Sequence, residues 1–280
     1  MITALLIFFA LVLEYIYDPI SNMKDTVVID NVFRKFSMLV KKYITKKYHQ
    51  YLLFPIVIMI ILAILLSILE NYIHYFFSFI VSMIILVYCM KPNEFNQMVE
   101  DLKFSIDSKN EFNKSDRYNY IMMDQNKTDD KKSINNIFYN STRSIFTVLF
   151  CFLLLGPIGC LGYVILDNYL FSKSIKVDIK SKKEIKNIIA VIEYIPIRLC
   201  SFSFAVVANF EQCIKTWKAR KVEKDLYTTN IALVNDIGIS SYKDNDDDVE
   251  KISYIQSIIS RSFLAWLSLI GFFIISGFFI

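Results

Sequence analysis

LLLGPIGCLGYVI, Leu153 to Ile165, lies in the longest uncharged run of the chain, between Arg143 and Asp167. The run has the length and composition of a bilayer-crossing helix, yet Gly156 and Pro157 stand near its centre. Proline removes a backbone donor and its ring collides with the preceding turn, and glycine loosens that turn further. Freed backbone groups find no water in lipid, so the break has to be covered by protein or by a wet cavity. Two geometries meet that demand. One is a single kinked span; the other is a pair of half-helices, each too short to cross alone, that enter and leave by the same side.

The rest of the composition sets the class. The chain is 55% hydrophobic and 21% charged, with 24 Phe and 17 Tyr, so apolar windows alternate with charged loops and aromatics are plentiful enough for interfacial belts. We expect an all-α, polytopic helical membrane protein with proline-broken helices, built as one integral domain. Spans are expected at residues 2–17, 51–69, 71–90, 144–166 (broken at 156–157), 187–210 (broken at 196) and 262–280. The first is read as retained, because no basic residue precedes its apolar run and no small-residue cleavage site follows.

Charge placement orients these spans. Residues 18–51 hold seven Lys/Arg and three acids, and residues 91–143 hold nine of each. The second and third windows are separated only by Glu70, so they form a hairpin that returns to its starting side. Positive-inside reasoning therefore puts the insertions 18–50 and 91–143 in the cytoplasm, and 211–261 is expected as a third cytoplasmic insertion. Residues 167–186 break the pattern with six lysines against three acids. A straight span leaves those lysines outside; a re-entrant hairpin returns them.

Helical spacing adds local expectations. Residues 32–54 read as an amphipathic helix on the inner face or as a plain solvated basic helix. Phe95, Met98, Val99, Leu102 and Ile106 recur at helical intervals. The acids of 244–250 read as a solvated loop. Five cysteines without any CxxC pairing behave as small hydrophobes rather than as a disulfide frame or metal site. His49 and His74 have no partner at ligand spacing, and no Walker, GxSxG or HExxH motif occurs. Scattered lysines beside membrane spans do not suggest nucleic acid.

AVIEYIPIRLCSFSFAVVANFEQCIKTW, residues 190–217, carries polar groups into an apolar segment. Pro196 interrupts it, and Arg198, Ser201, Ala205 and Asn209 then fall along one helical stripe. An arginine among apolar residues is costly unless paired or wet, which makes Arg198 a candidate binding group. It equally suits a snorkelling cation paired with Glu193 or Glu14, and the small stripe also allows helices to approach closely. A half-helix beginning at Pro157 would aim free N–H groups inward, as an anion requires.

FTVLFCFLLLGPIGCLGY (146–163), EYIPIRL (193–199) and ANFEQCIKTW (208–217) resemble the AmpE branch of the AmpE/CobD (CbiB) membrane family, in an order that covers most of the chain. The cobinamide-phosphate synthase branch of that family carries Gly-Asp-Pro near the end of its first helix, where this chain has Asp18-Pro19 without the glycine. It carries an acidic Glu-Asn-Thr-Ser-Asp-Gly stretch before the GP helix, where YNSTRS (139–144) keeps only Asn140. It then reads Asn-Thr-Leu-Asp, where this chain has DNYL (167–170). Acids suited to Mg²⁺ and nucleotide phosphates are thus largely absent. The resemblance implies an inner-membrane regulatory component linked to β-lactamase induction and cell-wall recycling, without a cofactor. The alternative is an ATP-dependent synthase using Mg-ATP. Asn140, Gly156, Pro157, Arg198 and Asn209 are the candidate ligand-binding set, for a phosphorylated or carboxylated ligand. Glu14, Glu193, Pro196 and Glu211 are candidates for structure or ion pairing. Partners expected are the bilayer and a cell-wall-recycling protein or anionic ligand.

Overall fold

The structure is a computed structural model that describes residues 6–7, 9–11, 27–40, 47–90, 92–108, 134–171, 175, 177–220, 223–242 and 248–276. Ten helices are named here: α1 Val27–Val40, α2 Lys47–Ile68, α3 Tyr75–Cys89, α4 Pro92–Ser108, α5 Ile137–Phe171, α6 Ile179–Ile192, α7 Tyr194–Val207, α8 Phe210–Ala219, α9 Leu226–Ser240 and α10 Asp248–Ile275. No strand occurs among the described residues. Among the described residues three helices are long and apolar enough to cross a bilayer, within Tyr51–Tyr72, Ile137–Phe171 and Asp248–Phe272; the pair α6 and α7, bent by 54°, makes a fourth if counted as one span. This architecture fits a polytopic helical membrane protein. Glu14, Asp18, Pro19 and the acids 244–247 lie outside the described residues, as does the Ile106 side chain.

The chain forms two compact units. One holds residues 2–91 and 148–189. In it α2 and α3 form the expected hairpin through a π-turn at Leu69–Ile73. The turn is tied down by the Ser78 hydroxyl, which donates to Glu70 Oε1 at 2.9 Å, and by His74, whose Nδ1 accepts from the Phe76 N–H at 3.1 Å. Burial is inverted relative to a water-soluble helix. On α3 the covered face is Ser78, Ser82, Leu86 and Cys89, while Phe76, Phe77 and Ile84 are exposed; on α2, Ile56, Ile60, Ile64 and Ile68 form an exposed ridge. Lipid solvates such a ridge, and small residues let helix backbones meet. At the start of α2 an aromatic cluster gathers: Phe33 of α1 lies 5.4 Å from Tyr51, 5.4 Å from Phe54 and 5.2 Å from Tyr169, ring to ring.

The other unit holds residues 92–147 and 190–280. Here α4 buries Phe95, Met98, Val99 and Leu102, the stripe that the spacing implies, and packs on α10, where Gln256 Nε2 donates to Glu100 Oε1 at 3.0 Å. Helix α7 buries Ile197, Cys200, Ser201, Phe204 and Ala205, positions i, i+3, i+4, i+7 and i+8, against α9 and α10. The Phe146 ring is surrounded by Phe204, Phe263 and Trp266, and Trp266 Nε1 donates to Ser203 Oγ at 2.9 Å.

The break near Pro196 falls at Glu193, between α6 and α7. Pro196 is the third residue of α7, within the first turn, where a missing N–H costs nothing. Its ring would strike the carbonyl four residues earlier, that of Ile192, so the helix has to end there. The other break is at Gly156 itself, with φ 64° and ψ −157°, a backbone region that essentially only glycine occupies.

Candidate functional site

The first turns of α5 are buried on every side: each residue from Ile137 to Thr147 is covered. A helix start leaves backbone N–H groups without partners, and a distant side chain supplies one. Asn235 of α9 accepts from the Tyr139 N–H at 3.0 Å, and its Nδ2 donates to Asn136 Oδ1 at 3.1 Å. The contact is possible because α9 offers a flat seat. A Cβ on Gly238 would stand 2.3 Å from the Phe138 ring, so only glycine permits this approach.

Tyr139 points the other way, and its hydroxyl donates to Glu193 Oε2 at 3.0 Å. Glu193 sits at the α6–α7 bend and is 0% exposed. Tyr227 of α9 stacks edgewise on Tyr139 at 6.4 Å. One turn beyond Tyr139 lies Arg143, 1% exposed and within electrostatic range of the phenol. A carboxylate, a guanidinium and two phenols are thus gathered in one interior, where ionic groups persist only when mutually satisfied. Local backbone geometry is adapted to this. Thr142–Phe146 is a π-turn, and the hydroxyls of Ser141, Thr142 and Ser144 donate back to the carbonyls of Phe138 and Asn140 at 2.7–2.9 Å. Single π-turns within α-helices are frequent at functional positions.

Arg198 lies at the edge of this network, half-buried. Its Nη1 donates to the Tyr194 carbonyl at 2.8 Å and to Asn230 Oδ1 at 3.3 Å, and its guanidinium carbon is 3.3 Å from the Tyr194 ring centre. Asn230 in turn donates to the Ala190 carbonyl at 2.8 Å. A second guanidinium, Arg220, is within electrostatic range of Arg198. Its Nε meets Asp236 Oδ2 at 3.3 Å, and both Nη atoms are buried with no acceptor among the described residues. Burial lowers the Arg220 pKa and raises that of Asp236. Two guanidinium groups with spare donors suit a carboxylate or phosphate, which accepts in the planar fork geometry arginine offers.

The expected residues separate accordingly. Asn140 and Glu193 belong to the buried network, Arg198 to its edge, and Pro196 is buried in the first turn of α7. Gly156 and Pro157 belong to the other unit. Asn209 leaves the Arg198 stripe because α7 ends at Val207; it caps α8 instead, accepting from the Gln212 N–H at 3.2 Å. Glu211 is exposed and pairs with Lys215 at 2.7 Å, a surface contact of little energetic weight. Glu14 is not among the described residues. Tyr139, Arg143, Arg220, Asn230 and Asn235 belong to no motif that marks them in the sequence. The available signal was Tyr139, Arg143 and Thr147 at four-residue intervals, which places a phenol, a cation and a hydroxyl on one helical face.

Among the described residues no group of three or more His, Cys, Asp or Glu side chains could hold a metal ion. The family described as "Regulatory signalling modulator protein AmpE" matches residues 6–277. The chain belongs to this family. No curated protein and no solved structure matches the chain.

Proposed function

We propose, with membership of the AmpE family as the premise, that this chain is a multi-pass protein of the bacterial inner membrane. In this reading it modulates β-lactamase induction and cell-wall recycling by binding an anionic ligand rather than by catalysis. One observation supports it: Arg198 and Arg220 lie within range of each other beside a helix, α9, that also holds the buried network together. Asn230 and Asn235 of α9 connect Arg198 to Ala190 and to the start of α5. A carboxylate or phosphate that engages the spare donors draws both guanidinium groups away from Asn230 and Asp236. Occupancy therefore biases the position of α9, and through it the contacts of Tyr139. A ligand shifts such an equilibrium by its difference in affinity for the two arrangements.

The test uses a deletion strain with an inducible β-lactamase, complemented with the wild-type gene, Arg198→Ala or Arg220→Ala. We expect the wild type to restore the normal induction response. Either variant should accumulate in the membrane to wild-type level and fail to restore it. Unchanged induction with both variants removes the arginines from the function. Rescue of a cobinamide-phosphate synthase-deficient strain by the wild-type gene replaces the regulatory reading with an enzymatic one.

A further inference from the structure

We infer that the Gly156–Pro157 segment is a re-entrant hairpin: the two halves of α5 enter and leave the membrane by the same face, and the lysines that open α6 lie on that face. The inference is independent of any ligand.

The backbone itself turns back. At Gly156 the conformation is non-helical, and a Cβ placed on Gly159 would lie 2.4 Å from Leu155 Cβ and 3.0 Å from the Cys151 carbonyl oxygen. In an unbroken helix residues eight apart are separated by about 12 Å. Cys160 also lies within electrostatic range of Cys151, nine residues back, and its thiol meets that of Cys89 at the end of α3. The chain after the break therefore runs beside the chain before it.

The direction of the return is set by α2. Gly162 lies against Met59, with a Cβ there only 2.6 Å from the Met59 sulfur, and Tyr169 packs on Tyr51 with ring centres 5.4 Å apart. The contact moves toward the start of α2 as α5 proceeds, so the second half of α5 is antiparallel to α2. Phe33 of α1 touches both tyrosines, placing α1 at this same end. The segment that precedes Tyr51 is the basic one, with seven Lys/Arg in residues 18–51, which marks the end as cytoplasmic.

The lengths agree. Twelve residues from Pro157 to Tyr169 rise about 18 Å, which sets the break near the middle of a hydrocarbon core of about 30 Å. At the break Gly156, Pro157 and Ile158 are half-buried, while Leu154 and Leu155 turn their apolar side chains outward. Lys180, Lys182 and Lys183, all exposed, then fall on the basic face, and the one segment that violated the charge rule obeys it.

Single cysteines test this in a background with the five buried native cysteines replaced. Lys183→Cys is compared with Lys35→Cys on α1 and Tyr72→Cys at the α2–α3 turn, using an impermeant maleimide on spheroplasts and on inverted vesicles. We expect Lys183→Cys to label with Lys35→Cys, in inverted vesicles only, while Tyr72→Cys labels in spheroplasts. Lys180→Cys repeats the measurement if Lys183→Cys does not accumulate. Labelling of either lysine position from the same side as Tyr72→Cys overturns the hairpin and establishes a crossing helix.

Discussion

Where α2 meets the second half of α5, the contacts are aromatic rings, a thioether and glycine. Where α5 begins against α7 and α9, they are a carboxylate, a guanidinium, phenols and carboxamides. Both regions share α5, which is apolar enough for a bilayer, yet they resist disruption differently. Ring and glycine contacts are short-ranged and tolerate some repacking, because the lost atoms are replaceable by other apolar atoms or by lipid. The polar interior does not, because removing one member of the Tyr139, Glu193 and Asn235 contacts leaves a buried charge, donor or acceptor in a low dielectric. The conformationally informative part of the molecule is therefore the polar one.

That contrast can be broken or sharpened by substitutions on the two sides, read as unfolding midpoints in mixed micelles. Arg143→Ala should have the largest effect, about 3–5 kcal/mol, since it strips the cation from the interior that holds Glu193; a loss under about 1 kcal/mol would erase the distinction between the regions. Asn235→Ala should cost about 1–3 kcal/mol by leaving the Tyr139 N–H without its acceptor. Gly238→Ala should cost about 1–3 kcal/mol through the Phe138 ring, and combining it with Phe138→Leu should recover part of that loss, a coupling that a double-mutant cycle measures. Gly162→Ala should cost least, below about 1 kcal/mol, because it meets the flexible end of Met59.

Legibility in the sequence followed the range of the interactions. The α2–α3 hairpin, the stripe of α4 and the break at Gly156 were readable because each depends on neighbours a few residues apart. The start of α5 was not, because a charge-free window must stop at Arg143, whereas the helix begins at Ile137. The groups that meet this helix start come from far along the chain, where no local pattern reveals them; Tyr139 and Asn235 are separated by 96 residues. Helix α9 was hidden for the same reason. Asn230 and Asn235 look like loop residues until their partners are known. Arg198 was legible as an oddity, but its half-buried position on the Tyr194 ring was not.

The π-turn at Thr142–Phe146 has an evolutionary corollary. A helix that accommodates one surplus residue can shed it. Excising a single position there would restore regular winding while leaving the faces on either side in register, because the wide turn already absorbs the surplus residue. Tyr139 would keep its bearing toward Glu193 and Asn235. Among relatives of this chain, a one-residue gap aligned to that short window is consequently compatible with an unchanged interior, whereas a gap a turn further along the helix is not.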